Sequence, residues 1–269
     1  MATVFYKPNI EYLKYWSDVS SNLDMIIFNN GCDQFNLGDF FNNNYILGTG
    51  ENVGLGAAFN KIIKFAREHS YTHFIYFDQD TSIDNKILKN LYDFLRNEDL
   101  QNFALVGPKY HSMPPKNPTQ MIIEKNVKTS WIISSGSIHN LSLIPANIKY
   151  KEDYFIDRLD FEICWQLSQL GYDIGLLEGY SINHSIGEIN KNWVGLVTRN
   201  HSAIRHFYMS RNRVLFYLRD YKKIYLTGLL ILILSSIKHL VILNLEKNAF
   251  QKFSMALKGF ISGVKSIKK

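Results

Sequence analysis

Short apolar runs alternate with helical patterns through the first half of the chain. Four runs have the length and the flanking turn residues of strands: 2–6 (ATVFY), 24–31 (DMIIFNNG), 44–48 (NYILG) and 72–77 (THFIYF). Residues 57–69 place apolar side chains at helical spacing, and two further helices are predicted at 9–21, entered through Pro8 and Asn9, and at 86–96. Elements that alternate in this way predict an α/β fold built from β-α-β units.

The second half is less regular. Residues 104–110 (ALVGPKY) predict a strand, and 121–124 (MIIE) and 131–137 (WIISSGS) predict further strands or sheet edges. Residues 157–170 predict a helix that Gly171 ends, and 172–187 contain two β-like pieces. Beyond Asn200 the pattern is helical to the last residue.

Residues 224–245 form the most apolar segment of the chain. Lys238 and His239 interrupt it after about 14 apolar residues, whereas a bilayer span takes about 20. The pattern favours a helix that lies in or against a membrane interface, with the basic tail (Lys258, Lys265, Lys268, Lys269) facing anionic headgroups. The alternative is a helix that packs on the domain or between the two copies of a homodimer.

Composition narrows the class of protein. A chain of 269 residues with 46% hydrophobic positions allows one large domain, or one domain with an appendage. Its two cysteines make neither a disulfide framework nor a zinc site, and the first residues lack the pattern of a signal peptide, so we expect a cytoplasmic protein. The net charge of +6 is concentrated after Arg199, which favours an anionic partner. Since no nucleic-acid-binding motif is visible, a membrane surface or a phosphorylated substrate is expected instead.

Two carboxylates follow the strand at 72–77. Residues i and i+2 of a strand point to the same side, so Asp78 and Asp80 would project together. A divalent cation shared with a substrate phosphate relieves the repulsion of two such carboxylates. The alternative from these residues alone is an Asp-rich turn.

The order of the motifs carries a resemblance. The chain presents TVFYKP, IIFNNG, ENVGLGAAFNK, FIYFDQDTS, SSGS, YFIDRLDFEICWQLSQLGY, INHSIG and RHFYMSRN in sequence. This series resembles the family 2 inverting glycosyltransferases, most closely their bacterial rhamnosyltransferase-type branch, over about residues 2–215. The resemblance implies a GT-A type domain with Rossmann-like nucleotide-sugar binding at 1–215, and a C-terminal helical extension at 216–269 that associates with a membrane or oligomerises.

The resemblance also implies site residues. The donor nucleotide would contact Tyr6, Asn29, Asn52, Gly54, Asn60, Asp78 and Gln79. Asn29 stands where the family has a base-contacting Asp, which changes the recognition of the base. Asp78-Gln79-Asp80 matches the metal-binding Asp-x-Asp, so Asp78, Asp80 and His184 would hold Mg²⁺ or Mn²⁺. A haloacid-dehalogenase phosphatase has a similar motif, but here Thr81 comes one position early.

The acceptor side follows from the same resemblance. Asp160 falls where the family has its catalytic base, Leu159 replaces the acid that precedes it, and Glu162 keeps the second acid. A carboxylate in the first turn of a helix stays ionised, as a base requires. Ser135, Gly136, Ser137 and Glu162 would line the acceptor site, and Arg205, Arg211 and Asn212 match a late Arg-Asn pattern.

The function that the resemblance implies is the inverting transfer of a sugar from a nucleotide donor. The branch suggests L-rhamnose from dTDP-rhamnose, moved to a cell-surface polysaccharide or a lipid-linked oligosaccharide, at the inner face of the cell membrane. Two alternatives stay open: a UDP-hexose or UDP-galactofuranose transferase of the same fold, and a non-catalytic membrane-bound carbohydrate-binding subunit.

Overall fold

The computed structural model describes residues 1–21, 23–97, 100, 102–108, 126–177, 182–184, 190–191, 197–198, 200–221 and 225–267. The chain forms two compact units: unit 1 comprises Met1–Glu152 and Ile163–Ser185, and unit 2 comprises Asp153–Glu162 and Ile186–Lys269. The functional division at residue 215 expected from the sequence stays a prediction.

Strands and helices alternate along the first half of the chain as predicted. The strands are β1 (Ala2–Phe5), β2 (Ile26–Asn29), β3 (Tyr45–Leu47), β4 (His73–Asp78), β5 (Thr81–Ser82), β6 (Phe103–Pro108), β7 (Asn126–Thr129), β8 (Ser137–Asn140), β9 (Asp173–Leu177), β10 (Asn183–His184), β11 (Asn190–Lys191) and β12 (Val197–Thr198). The helices are α1 (Ile10–Ser20), α2 (Leu55–Glu68), α3 (Asn85–Asn97), α4 (Leu159–Gln169), α5 (Ala203–Leu215), α6 (Tyr225–Asn244) and α7 (Ala249–Ile267). Two 3₁₀ turns (Leu37–Asp39, Glu152–Tyr154) and a π-helical turn (Phe216–Asp220) complete the set.

Unit 1 is built on an eight-stranded mixed sheet in the order β3-β2-β1-β4-β8-β6-β9-β7. The strands β3, β2, β1 and β4 are parallel to one another, so their carboxyl ends meet at one edge. Because β8 runs antiparallel between β4 and β6, it begins at that edge, where its first residue, Ser137, pairs with Tyr76 near the end of β4. In open α/β sheets, ligands bind outside the carboxyl ends of the strands.

Helix starts and core packing follow the sequence closely in unit 1. Asn9 caps α1 as predicted, since its side chain accepts a hydrogen bond of 2.9 Å from the Tyr12 backbone N–H. Trp16 on α1 is fully buried and packs on Phe77 of β4, with ring centroids 5.6 Å apart. This aromatic contact fixes α1 on the sheet beneath the Asp78 edge.

Two predictions need correction. WIISSGS is not a strand: residues 134–136 form a turn in which Gly136 has φ of +80°, and β8 begins only at Ser137. Asp157 does not lie in the helix predicted from 157, because its φ of +72° is left-handed and α4 begins at Leu159. The MIIE segment and residues 109–110 of the predicted strand lie outside the described residues.

Unit 2 contains α5, the π-helical turn, α6 and α7, so the helical pattern beyond residue 200 is confirmed. A Cβ on Gly259 of α7 would lie 2.1 Å from the Phe207 carbonyl oxygen, so only glycine permits this approach of α7 to α5. On α6, Gly228, Leu232, His239 and Leu243 form the buried stripe.

Helix α6 is longer than the apolar run suggested, because Lys238 and His239 continue the helix rather than end it. Within the described part of the chain, it is the one helix whose length and composition suit a membrane span. The window Thr227–Asn244 has a mean hydropathy of 1.8, and 22% of it is buried inside the protein. Most of the large aliphatic side chains of α6 are therefore exposed.

Candidate active site

The end of β4 carries the two acidic residues singled out in the sequence. Asp78 is the last residue of β4, and Asp80 lies in the tight turn to β5. Tyr76 donates its hydroxyl proton to Asp78 Oδ1 at 2.8 Å. Burial first, then the charges of Asp78 and Asp80, raise the pKa of Tyr76 well above its usual value, so this hydroxyl remains a donor. The Asp78 carboxylate is thus held by a buried hydroxyl, and the charge of Asp80 acts on the same hydroxyl.

The Asp78 turn is also fixed through its backbone. The Asp78 N–H donates to Ser135 Oγ at 3.0 Å, and Ser135 is hydrogen-bonded to Thr81 Oγ1 at 2.6 Å. Gln79 exchanges two hydrogen bonds with the Tyr6 backbone, of 2.8 and 3.0 Å, and its carbonyl accepts from Trp16 Nε1. Because the amide of Gln79 is occupied by Tyr6, its role is to join the ends of β1 and β4.

The neighbouring strand ends supply an amide-rich surface. Asn29 Oδ1 accepts from the backbone N–H groups of Gly31 and Cys32 at 3.3 and 3.0 Å. Asn52 Oδ1 accepts from the Gly54 N–H at 3.1 Å, and Gly54, at φ of +82°, is the N-cap residue of α2. Tyr6 is 43% exposed, and its ring lies against Gly31. Six of the residues predicted to contact the donor therefore lie at or beside the shared edge of β1, β2 and β4: Tyr6, Asn29, Asn52, Gly54, Asp78 and Gln79. Their role in donor binding stays a prediction.

The residues at this edge fit a divalent cation. Asp78 and Asp80 place two carboxylates at the same turn. Carboxylate oxygens are hard donors, which is the ligand type that Mg²⁺ and Mn²⁺ take. Backbone pairing of β10 with β5 places His184 opposite Thr81, next to Asp80 in the chain. Among the described side chains no three of His, Cys, Asp or Glu converge.

Four predicted site residues are engaged elsewhere in unit 1. The side chain of Asn60 exchanges hydrogen bonds of 2.9 Å with the backbone of Tyr150 and also donates to Glu152 Oε1, so it braces that segment. Ser135, Gly136 and Ser137 are all buried. Ser135 supports the Asp78 turn, and the Gly136 N–H donates to the Tyr76 carbonyl at 2.7 Å. The observed contacts of these four residues are within the protein, and their assignment to the donor and acceptor sites stays a prediction.

In unit 2, Asp160 occupies the first turn of α4 as predicted. Its Oδ1 accepts from the Phe161 N–H at 3.0 Å. Burial, and then the charge of Asp157, raise the pKa of Asp160 to about 7. A carboxyl with this pKa can accept a proton near neutral pH, which suits a general base. Glu162 is 1% exposed and lies one turn into the same helix.

Two supporting residues were missed by the sequence analysis. Tyr76 lies within the apolar run of β4, and alternation along the strand places it on the same side as Asp78. Asn30 accepts from the Val53 N–H at 2.9 Å and so links the end of β2 to the loop before α2. No spacing rule would have identified the second contact, since the two residues are distant in the sequence.

The sheet order and the Asp pair at the end of β4 define a GT-A-like glycosyltransferase fold. In agreement, the chain is similar to the mannosyltransferase PcManGT from Pyrobaculum calidifontis, whose structure is a complex with GDP-Man and Mn²⁺. The TM-score is 0.51 at 10% identity, over 99% of this chain and 86% of that one. No family model matches the chain.

The sequence comparison found a relative whose name matches the predicted rhamnosyltransferase branch. The chain is 24% identical over 238 residues to the dTDP-rhamnosyl transferase RfbF of Shigella flexneri, covering 83% of this chain and 79% of that protein. The resemblance to bacterial rhamnosyltransferase-like glycosyltransferases is therefore confirmed.

Proposed function

We propose that the protein transfers L-rhamnose from dTDP-L-rhamnose to a saccharide or lipid-linked saccharide, with inversion at the anomeric carbon. The observation that carries the proposal is the Asp78/Asp80 pair at the carboxyl edge of the sheet, where Tyr76 and Ser135 hold Asp78 and Tyr6 is exposed. The similarity to a dTDP-rhamnosyl transferase supports the choice of donor.

The donor would lie along the ends of β1, β2 and β4. Tyr6 offers an exposed ring for the base, and Asn29 and Asn52 line the neighbouring loops. Asp78 and Asp80, with His184, would hold a Mg²⁺ or Mn²⁺ ion, which supplies charge neutralisation for the departing diphosphate. The cation-free enzyme should therefore lose transfer, while folded unit 1 persists because Tyr76, Ser135 and Gln79 hold the turn without it.

Asp160 supplies the base. Its carboxylate takes the proton of the acceptor hydroxyl as that oxygen bonds to the anomeric carbon, and the bond to the diphosphate oxygen breaks with its electron pair. Since this carboxyl has a pKa of about 7, kcat should rise tenfold per pH unit below that value and level off above it.

The test is a panel of nucleotide sugars (dTDP-rhamnose, UDP-hexoses and UDP-galactofuranose) assayed for donor hydrolysis and transfer with Mg²⁺, Mn²⁺ or EDTA. We expect turnover with dTDP-rhamnose that EDTA abolishes. Turnover restricted to a UDP-sugar would replace the donor assignment, and donor or saccharide binding without any turnover would favour the non-catalytic subunit.

Substitution separates the base from the fold. Asp160→Asn should lower kcat at least about a hundredfold, with donor affinity nearly unchanged, because only the proton acceptor is lost. Asp93→Asn, an exposed acid on α3, is the matched control and should retain full activity. Normal turnover of Asp160→Asn would transfer the base role to Glu162 or Asp157.

We further propose that α6 and α7 attach the protein peripherally to the inner face of the cell membrane. Large apolar side chains are exposed on both helices, among them Leu230, Leu234 and Ile237 on α6 and Phe250 and Leu257 on α7. The exposed charges of these helices and of the turn between them are cationic, at Lys238, Lys247, Lys258 and Lys265, and Glu246 is buried. This combination matches an anionic lipid surface.

Vesicles of phosphatidylglycerol should bind the protein, and high salt should weaken the binding by screening. Phe250→Ser with Leu257→Ser should reduce binding, whereas Leu170→Ser, at an apolar position of unit 1 about as exposed as Leu257, should not. A protein that ignores vesicles but dimerises through these helices in light scattering would contradict the membrane proposal and favour the homodimer.

A further inference from the structure

The chain makes an unusual turn directly before Asp160. Phe155, Asp157 and Arg158 all have left-handed backbones, with φ of +63°, +72° and +62°. Residues other than glycine rarely adopt this conformation, and they keep it only where the surroundings hold them. The turn ends at Leu159, the first residue of α4, so its path sets where Asp160 lies within unit 2.

One buried side chain of α5 holds this turn. Asn212 is fully buried, and its Nδ2 donates to the carbonyls of Tyr154, Ile156 and Asp157 at 2.8, 2.7 and 3.0 Å. An amide group has two protons, so one of them is shared between two of the three acceptors. Its Oδ1 in turn accepts from Arg211 Nη1 at 3.3 Å.

Other residues of the same helix and of the π-helical turn fasten the flanks. Arg211 also donates to the Asp153 carbonyl, and Arg219 pairs with the Asp153 carboxylate at 2.5 Å. Tyr154 donates to Asp220 Oδ2 at 2.8 Å, and the Phe155 ring stacks on Tyr208 with centroids 5.0 Å apart. The segment 153–158 is thus held from one side by α5 and the π-helical turn.

We propose that Asn212 is a positioning residue for the transfer reaction: it holds the left-handed turn 155–158 and thereby places the carboxylate of Asp160. The inference rests on the proposed function, and it goes beyond it by giving the late Arg-Asn pattern a role. A neutral amide suits the task, because it donates to three carbonyls without adding a charge beside Asp157 and Asp160.

The chemistry of the alternatives at position 212 explains the choice. Aspartate has the same shape but would oppose three carbonyl oxygens with a carboxylate, and alanine would remove the amide donor from all three carbonyls. Either substitution should let the turn relax and displace Asp160, and a displacement of about 1 Å can cost a hundredfold in rate.

The experiment compares Asn212→Ala and Asn212→Asp with Asn140→Ala in the full-length protein. Asn140 is a matched control, because it is a buried asparagine that bridges the Leu100 carbonyl and the Ser142 N–H in unit 1. We expect both Asn212 variants to lower kcat about 10- to 100-fold per folded molecule, with the KM for donor unchanged. The pH inflection of kcat should move below 7 as Asp160 becomes more solvated. Asn140→Ala should keep the kcat per folded molecule and the inflection.

Hydrogen exchange at residues 153–160 tests the same inference without an activity assay. Exchange there should accelerate in Asn212→Ala and not in Asn140→Ala. Unchanged kcat, inflection and exchange in Asn212→Ala would overturn the inference. If the wild-type protein transfers no sugar from any donor, the proposed function fails, and the exchange result alone then decides whether Asn212 holds the turn.

Discussion

The two units have interiors of different kinds. Unit 1 is filled by aliphatic and aromatic side chains, among which Trp16, Phe28 and Phe77 are completely buried. Unit 2 buries an ionic cluster, consisting of Arg213, His239, His206, Glu246 and Lys252. In such a cluster the loss of one partner is costly, because the low dielectric that strengthens a satisfied network also penalises a buried polar group left without its partner.

The hydrogen bonds of the cluster run in one direction. Arg213 Nη1 can only donate, so His239 Nδ1, 3.0 Å away, accepts. The proton of His239 is then on Nε2 and is donated to His206 Nδ1 at 2.8 Å, and His206 Nε2 donates to Glu246 at 3.0 Å. Lys252 donates to the same carboxylate oxygen at 2.7 Å. Both histidines are therefore neutral in the folded protein, and α5, α6, the α6–α7 turn and α7 are joined by one chain of contacts.

The largest effect is expected from removing the carboxylate of this cluster. Glu246→Ala leaves Lys252 and His206 buried without their anion, which should cost about 3–5 kcal/mol of folding stability. Hydrogen exchange should accelerate in α5, α6 and α7 and remain slow in β1, β2 and β4. Glu68→Ala is the control, because its pair with Lys64 at 3.7 Å is exposed and contributes about 0.5 kcal/mol or less. Equal losses for the two variants would remove the distinction between the units.

An intermediate effect is expected from acid. Burial lowers the pKa of His139 in unit 1 to about 3, and burial with the nearby Arg213 charge does the same for His239 in unit 2. Both pKa values lie below the unfolded value of about 6.5, so the stabilisation is complete above pH 6.5 and decreases as pH falls toward 3.

The slope per histidine should approach 1.4 kcal/mol per pH unit below pH 6.5, measured by urea unfolding across pH. Substituting one histidine at a time by glutamine should reduce this slope. The unit in which acid accelerates hydrogen exchange then identifies which histidine is protonated. A slope that neither His139→Gln nor His239→Gln changes would place the acid sensitivity elsewhere.

The smallest effect distinguishes a core from an outward-facing apolar surface. Ile75→Val in β4 should cost about 0.5–1.5 kcal/mol, because a buried methylene is lost from a packed site. Ile237→Val on α6, where the side chain is 55% exposed, should stay within about 0.5 kcal/mol in the absence of vesicles. If Ile237→Val cost the monomeric protein as much folding stability as Ile75→Val, the outward face of α6 would be packed against another part of the chain.

The sequence by itself predicted the elements and the edge at which chemistry is expected. Short apolar runs in a β-α-β pattern predicted strands with Asn29 near the end of one and Asp78 directly after the other, and the parallel sheet brings the ends of those strands together. The first-turn position of Asp160 was also predictable, because the helical period of α4 is local information.

Only the tertiary structure decided which polar residues support the site. Asn60, Ser135 and Asn212 are all plausible ligand-binding residues by type, yet each satisfies backbone groups that are distant in the sequence. The left-handed turn before Asp160 was equally invisible, because Phe155 and Arg158 have no intrinsic preference for this conformation. Periodicity reports which face of an element is buried, whereas the partner of a buried polar group depends on contacts that exist only after the chain has folded.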